Sequence, residues 1–369
     1  MSSSGPVGVG VVGAGVISTQ YLRNLTAFPD LDVRFVADLD TDRAREQAES
    51  FGVPGHGGTD ALLADDRIEI VVNLTVPAAH VDVALRAVAA GKHVWNEKPI
   101  ALDRKSGREL LDAARAAGVR VAAAPDTFLG PGIQTSLRLL RSGTIGAPQN
   151  ALTLMQTPGP ESWHPNPDFL FQDGAGPLFD IGPYYLTTLV QLLGPVARVH
   201  AVTAQARAVR TIGSGPRAGE QFDVTVPTHV SAIYEFAGGT SAQSVFSFDS
   251  AVRRRQFEVT GVDGTLEVPD PNTFAGDVHV HRMDGQVDTV PATEAASTRG
   301  TGVLELARAV RAGRPERASG ELAFHVLDTM IATIEAAESG AATEVASTVE
   351  VAPPLPGDWD PRAATLPRS

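Results

Sequence analysis

Three groups of residues in this 369-residue chain have types and spacings that could do chemistry. The first is Asn96-Glu97-Lys98-Pro99. A proline disfavours helix at the residue before it, so Lys98 should be extended and should end a strand. An ammonium there would stabilise an alkoxide and lower the pKa of a neighbouring acid–base group. The alternative is a solvated surface lysine. The second group is Asp180 and Tyr184, four apart within Gly174-Ala175-Gly176-Pro177-Leu178-Phe179-Asp180-Ile181-Gly182-Pro183-Tyr184-Tyr185. Pro177 suits a first helical turn, and the spacing puts both side chains on one helix face. Leu178, Ile181, Tyr185, Leu189 and Leu192 would form the buried stripe, with a local kink at Pro183 re-aiming Tyr184. The third is Gly13-Ala14-Gly15-Val16-Ile17-Ser18, with Asp38 twenty residues beyond Ser18.

These groups need positioning elements, and the first 125 residues supply them. Val7 to Val12 is an apolar run of strand length, and Ile17, Tyr21, Leu25 and Phe28 follow at helical spacing. The alternation continues through a strand at Val33 to Ala37 and a helix from a cap at Thr41 to Phe51, stopped by Gly52. A strand at Ile68 to Leu74 and a helix at Ala78 to Ala90, closed by Gly91, come next. A strand at His93 to Trp95, a helix at Asp103 to Ala117 closed by Gly118, and a strand at Val119 to Ala124 complete the series. Such alternation predicts an α/β Rossmann dinucleotide-binding domain, a parallel sheet with helices on both faces. Gly13 would allow the tight turn, Gly15 a close backbone approach, and the helix start would offer N–H groups to a pyrophosphate, with Val16 and Ile17 beside it. Asp38 would accept bonds from the adenosine ribose and repel a 2′-phosphate, favouring NAD over NADP. Its other reading is a turn cap beside Asp40.

Bulk properties exclude several classes. The length predicts two domains, no apolar run is long enough to span a bilayer, and a net charge of −13 argues against a nucleic-acid partner. The one basic run, Arg253-Arg254-Arg255, reads as a solvated strand entry. The absence of cysteine removes disulfides, thiolate catalysis and Cys-based metal sites. No histidine spacing suggests a metal site. The opening Met1 to Gly5 lacks the basic and apolar regions of a secretory signal, so a cytoplasmic protein is expected.

The combination of the glycine turn, Asp38, Thr75-Val76-Pro77-Ala78-Ala79-His80, Ala90-Gly91-Lys92-His93-Val94, Glu97-Lys98-Pro99 and Asp180-Ile181-Gly182-Pro183-Tyr184 resembles the Gfo/Idh/MocA oxidoreductases over nearly the whole chain. The resemblance implies that Thr75, His80 and Glu97 lie along NAD, and that Lys98 sits beside the nicotinamide and the reacting carbon. Pro77 stands where the family often has Asn, which removes one side-chain contact. The family's usual acid–base histidine is Tyr184 here, similar to the branch containing glucose–fructose oxidoreductase and dihydrodiol dehydrogenase. A phenol of ordinary pKa, about 10, is a poor base at neutral pH, and Lys98 would supply the charge that lowers it, with Asp180 orienting the substrate. Tyr184 and Tyr185 could instead both be core aromatics, the favoured reading for Tyr185. Asp126 and Thr127, after the last strand, and Trp163 and His164, in a proline-rich loop, are expected to line the pocket for a sugar or polyol. The family often has Arg near Thr127, and an anion contact from that place is missing.

Beyond the first domain, alternation from Val230 to Phe248 about Gly238-Gly239, and hairpins at Asp263-Gly264 and Asp284-Gly285, predict an α+β domain with an open, mostly antiparallel sheet. Helices are expected at about Gly302 to Ala312 and Gly320 to Ser339. The expected division is residues 1–126 for NAD, 127–352 for substrate and oligomerisation, and 353–369 as an extended proline-rich tail. The resemblance implies a homo-oligomer, dimer or tetramer, built on the sheet's other face. It also implies NAD-dependent oxidation or reduction at a secondary hydroxyl of a sugar, inositol or similar polyol. Two other readings stay open: glycoside hydrolysis through transient sugar oxidation, and a non-catalytic NAD-binding regulator.

Overall fold

The computed structural model describes residues 5–292 and 297–366, so Met1 to Ser4 and the last three residues of the expected tail lie outside it. In chain order the elements are β1 (Val7–Val12), α1 (Val16–Leu25), β2 (Leu31–Ala37), α2 (Thr41–Phe51), β3 (Gly55–Gly57), α3 (Thr59–Leu63), β4 (Ile70–Asn73), α4 (His80–Ala89), β5 (His93–Asn96), α5 (Arg104–Ala117) and β6 (Val121–Ala123). There follow α6 (Pro131–Arg141), β7 (Pro148–Gln156), α7 (Gly176–Leu193), β8 (Val196–Ala204), β9 (Val209–Thr211), β10 (Gln221–Asp223), β11 (His229–Phe236), β12 (Ser241–Ser247), β13 (Arg254–Gly261), β14 (Gly264–Glu267), β15 (Val278–Arg282), β16 (Val287–Val290), α8 (Thr301–Ala312), α9 (Gly320–Ser339) and β17 (Thr343–Glu344). Among the described residues no helix is long and apolar enough to cross a membrane.

Two compact units result. The first comprises Met1–Gly130, Glu294–Leu327 and Ala352–Ser369. Its six strands pair in parallel in the order β3-β2-β1-β4-β5-β6. The order reverses between β1 and β4, and ligands of open α/β sheets bind at the carboxyl ends of strands flanking such a point. Buried on both faces, β1 can be apolar throughout. The cap of α2 is Asp40 rather than Thr41: its carboxylate accepts the Arg43 N–H at 3.1 Å. Gly52 and Gly118 close α2 and α5 in left-handed conformation, as their positions predicted.

The chain returns to this unit twice, where a single division after residue 126 was expected. Asp126 takes the backbone N–H groups of Gly300 and Gly302, at 2.8 and 3.1 Å, at the start of α8. Arg311 of α8 makes a two-pronged pair with Glu69. The proline-rich tail has no regular structure, yet it is latched rather than loose. Arg308 donates to the Asp360 and Ala363 carbonyls and to Asp30, whose carboxylate also accepts from Thr365 and Leu366. Burial alone would raise the Asp30 carboxyl, but these donors together hold it below the usual range.

The second unit, Pro131–Thr293 and Asp328–Val351, is built on a nine-stranded sheet in the order β16-β15-β14-β13-β7-β12-β11-β8-β17. All neighbours are antiparallel except β7 and β12. The hairpins at Gly238-Gly239, Asp263-Gly264 and Asp284-Gly285 are present. Helix α7 packs on β12, β11 and β7 and runs unbroken through Pro183. It is buried from Gly182 to Leu193, while Ile181, expected in the stripe, is only half-buried. Helix α6 and the strands β7 and β8 were not read from the sequence, because their apolar spacing is short and interrupted.

Candidate active site

The glycine turn joins β1 to α1. Gly13 has φ of +101°, and a Cβ there would lie 2.7 Å from the Leu74 backbone, so both conformation and space require glycine. Gly15 is the extended N-cap of α1, whose N-terminus has no side-chain cap and no acidic residue in its first turn. Its N–H groups and the helix dipole are therefore available to an anion. Ser18 is fully buried and donates to the Gly15 carbonyl at 2.6 Å, so the third motif position is filled by a small residue that braces the turn.

Asp38 follows the last residue of β2 and serves the turn-capping role, one of the two the sequence left open. Its carboxylate accepts N–H groups from Ala14 at 2.7 Å and Asp40 at 2.9 Å, and pairs with Arg43 at 2.8 Å. Burial pushes its carboxyl up, but these donors outweigh it and hold the group below its usual range. Asp38 also lines a cavity of about 370 Å³ with Gly13, Gly15, Arg43, Thr75 and Val76. Val16 is almost fully exposed on an adjoining hollow with Thr19, Arg23 and Arg43, and Ile17 is half-buried. A positive-φ turn, an uncapped helix start and a strand-end carboxylate around one cavity fit a dinucleotide.

A polar network holds the ends of β4 and β5. Buried Asn73 donates to Asn96 Oδ1 at 2.7 Å and to the His80 carbonyl at 2.9 Å, and accepts from the Thr75 hydroxyl at 2.7 Å. His80 departs from the expected cofactor contact. Its ring is 1% exposed, with Nδ1 2.7 Å from the Pro99 carbonyl oxygen and Nε2 2.9 Å from that of Thr75. It clamps the loop bearing Lys98 to the loop bearing Thr75. Glu97 is likewise engaged: it accepts from the Tyr21 hydroxyl at 2.9 Å and from the Lys98 N–H at 2.9 Å. Tyr21 in turn accepts from the Trp95 indole at 3.1 Å. Burial, then the Glu97 and Asp126 charges, push the Tyr21 phenol well up, so it remains a donor. Lys98 stands half-buried two residues past the end of β5.

Asp126 and Thr127 were expected to face substrate. Both are instead buried, and Asp126 is spent on the start of α8 as described, with Arg299 3.5 Å away. Burial raises the Asp126 carboxyl, against the opposing pull of Arg299 and the two glycine N–H groups.

In the second unit Asp180 and Trp163 do line one cavity, of about 200 Å³, together with Tyr185, Arg253, Arg255 and Asp270. Tyr184 is 7% exposed and does not line it. His164 does not line it either: its Nδ1 accepts the Asn166 N–H, and its ring meets Trp163 and Phe169 edge-on. The loop before Trp163 is pinned by buried Arg210, which pairs with Glu161 and Asp249 and donates to the Pro158 carbonyl. Sequence reasoning missed Arg253, Arg255 and Tyr185 here. Strand alternation was the available signal, since it separates residues 253 and 255 from Arg254, which bonds Gln156.

A parallel dinucleotide-binding sheet followed by an open, mostly antiparallel sheet defines the class, a two-domain NAD(P)-dependent oxidoreductase. Residues 7–124 match the Gfo/Idh/MocA oxidoreductase family with its NAD-binding Rossmann fold, and residues 133–267 match the Gfo/Idh/MocA C-terminal domain. The chain belongs to this family. It is 27% identical to D-xylose 1-dehydrogenase (NADP(+)) 2 of Haloferax volcanii, over 91% of this chain and 99% of that one. It is 30% identical to dTDP-3,4-didehydro-2,6-dideoxy-alpha-D-glucose 3-reductase of Streptomyces antibioticus, over 87% and 92% of the two chains. The fold matches that of levoglucosan dehydrogenase in complex with NADH and L-sorbose, with a TM-score of 0.79 and 20% identity over 93% of this chain and all of the other.

Proposed function

We propose that the protein transfers hydride between a secondary hydroxyl of a sugar or polyol and NAD. The observation that carries this is the braced strand-end Lys98: His80 fixes Pro99, Tyr21 fixes Glu97, and Glu97 fixes the Lys98 backbone. Such support keeps a functional side chain in place. The relatives that act on sugars support the substrate class. When bound, the nicotinamide supplies the hydride acceptor. In this reading the Lys98 ammonium is assigned to stabilise the substrate oxygen, Tyr184, as its phenolate, to take the hydroxyl proton and become the phenol, and Asp180 to accept a hydrogen bond from a neighbouring hydroxyl. Lys98→Ala should lower kcat by about 10²- to 10³-fold, the scale of a lost oxyanion contact, with NAD affinity within a few-fold of wild type. Unchanged turnover would end this reading.

The NAD preference rests on Asp38. A carboxylate offers about four acceptor sites, so after its three N–H partners one remains for a ribose hydroxyl. Its charge also neutralises Arg43, the nearby cation that could receive a 2′-phosphate. Asp38→Ala should shift the NADP-to-NAD ratio of kcat/KM by on the order of 10- to 100-fold toward NADP, the scale of a removed like-charge contact. A wild-type enzyme that already prefers NADP would reverse the assignment. The exposed Val202 and Ile233 of β8 and β11 support a homo-oligomer formed through the outer sheet face, which light scattering would test.

A further inference from the structure

The cavity of the second unit holds groups that the hydride-transfer reading does not use. We propose that it receives an anionic group of the sugar substrate, a carboxylate or a phosphate, bound by Arg253, Arg255 and the Tyr185 hydroxyl. This rests on the sugar oxidoreductase reading and narrows its substrate class.

Tyr185 is the strongest pointer. It is 1% exposed, its hydroxyl has no hydrogen-bond partner, and it lines the cavity. The ring cannot turn away easily, because Phe257 stacks on it at 6.0 Å and Phe246 meets its edge at 5.7 Å. Burial, with a smaller contribution from Asp270, pushes the phenol well up, so it keeps its proton and is a donor still without an acceptor. A buried hydroxyl without a partner costs free energy, and a ligand acceptor would remove that cost.

The two arginines decide the charge of the acceptor. Arg255 donates to Asp270 at 3.1 Å, which uses one of its five N–H groups. Arg253 lines the same cavity and has no ion pair or hydrogen bond among the described residues. Within the lining, Asp270 pairs with Arg255, and among the described residues neither it nor Asp180 pairs with Arg253. Guanidinium groups bind carboxylate and phosphate oxygens in paired geometry. Trp163, 62% exposed on the same rim, adds an apolar wall suited to the C–H face of a sugar ring. The cavity, at about 200 Å³, is below the roughly 300 Å³ where pockets for drug-sized ligands begin. It suits one ring or its charged arm rather than a nucleotide-linked sugar.

The test compares kcat/KM with NAD for D-glucose, D-glucuronate and glucose 6-phosphate, in wild type, Arg253→Met and Tyr185→Phe. Wild type should favour one acidic sugar over glucose by roughly 10- to 100-fold through KM, the scale of a hydrogen bond to a charged group. Whether glucuronate or the phosphate ester gains identifies the anion. Arg253→Met, an exposed change that leaves the core intact, should erase the preference by raising KM for the acidic sugar, and Tyr185→Phe should raise that KM as well. Turnover of glucose with no acidic preference would overturn this inference and leave the hydride-transfer reading standing. No turnover of any of the three sugars would count against the hydride-transfer reading for these sugars and leave the anion site to be decided by binding. Thermal shift with D-glucuronate and glucose 6-phosphate gives a readout independent of turnover: stabilisation by either acid, lost in Arg253→Met, supports the site, and no stabilisation by either counts against it.

Discussion

The two sheets build their sites by opposite routes. In the parallel sheet every strand that contributes runs the same way, so the ends of β1, β2, β4 and β5 present Gly13, Asp38, Thr75 and Lys98 in the loops that immediately follow them. In the nine-stranded sheet the cavity is assembled from the end of β7, the loop carrying Trp163, the first turns of α7, the start of β13 and the segment after β14. Its contributors span residues 155 to 272 with no common local signature. Parallel connectivity makes a site readable from consecutive loops, whereas antiparallel connectivity hides it in pairings that only the fold reveals.

Substitutions can break or sharpen that contrast. A large stability loss is expected at Arg308, whose side chain is 8% exposed against a fully buried Asp30 and which also holds two tail carbonyls. Arg308→Ala takes the ion-pair partner from the buried Asp30 carboxylate and should cost about 3 kcal/mol by urea denaturation, the lower end of the scale of a buried pair robbed of one partner, because Thr365 and Leu366 still donate to it. A loss below about 1 kcal/mol would mean that the tail is a loose appendage after all. Next comes a matched glycine pair. Gly13→Ala meets both a positive φ and the Leu74 backbone, and should cost about 3 kcal/mol. Gly239→Ala in the β11–β12 turn has φ of +87° but open space around it, and should cost about 1 kcal/mol. Equal losses at the two would show that conformation alone, rather than close approach in the ligand turn, sets the requirement at Gly13.

The same contrast explains what was legible. Alternating strand and helix periods, with Gly52 and Gly118 as stops, showed the first unit's strands and helices from Val7 to Ala123 apart from the short β3 and α3, and the glycine turn and Asp38 marked its ligand edge. Hairpin signals gave β11 to β16. What failed was orientation. Asp126 sits where a strand-end residue should face a ligand, but the glycine N–H groups at the start of α8, some 175 residues away in the chain, draw its carboxylate inward. His80 was placed along the cofactor by resemblance, yet its two ring nitrogens are used on the Thr75 and Pro99 carbonyls. Tyr185 was read as core because its spacing puts it in the buried helical stripe, which is correct for the ring and silent about the hydroxyl at its tip. No periodicity reports where the last atom of a long side chain ends.

The smallest expected effect tests whether charge visible on a strand carries structural meaning. Arg198 on β8 faces Glu235 of β11 across the sheet, with His200 beside them, in an arrangement that looks like a designed cross-strand network. Arg198 and Glu235 are both well exposed, and at 45% and 36% exposure solvent screens most of their attraction while ordering two long side chains costs entropy. Glu235 is held below its ordinary range chiefly by the Arg198 hydrogen bond and then by His200, yet at neutral pH it is ionised with or without them. Arg198→Ala should therefore leave the thermal midpoint unchanged within error at pH 7, in contrast to Arg308→Ala, although both remove an arginine from an ion pair. A drop of several degrees would mean that this sheet edge is covered in solution, and would direct attention to β8 and β11 as a subunit interface.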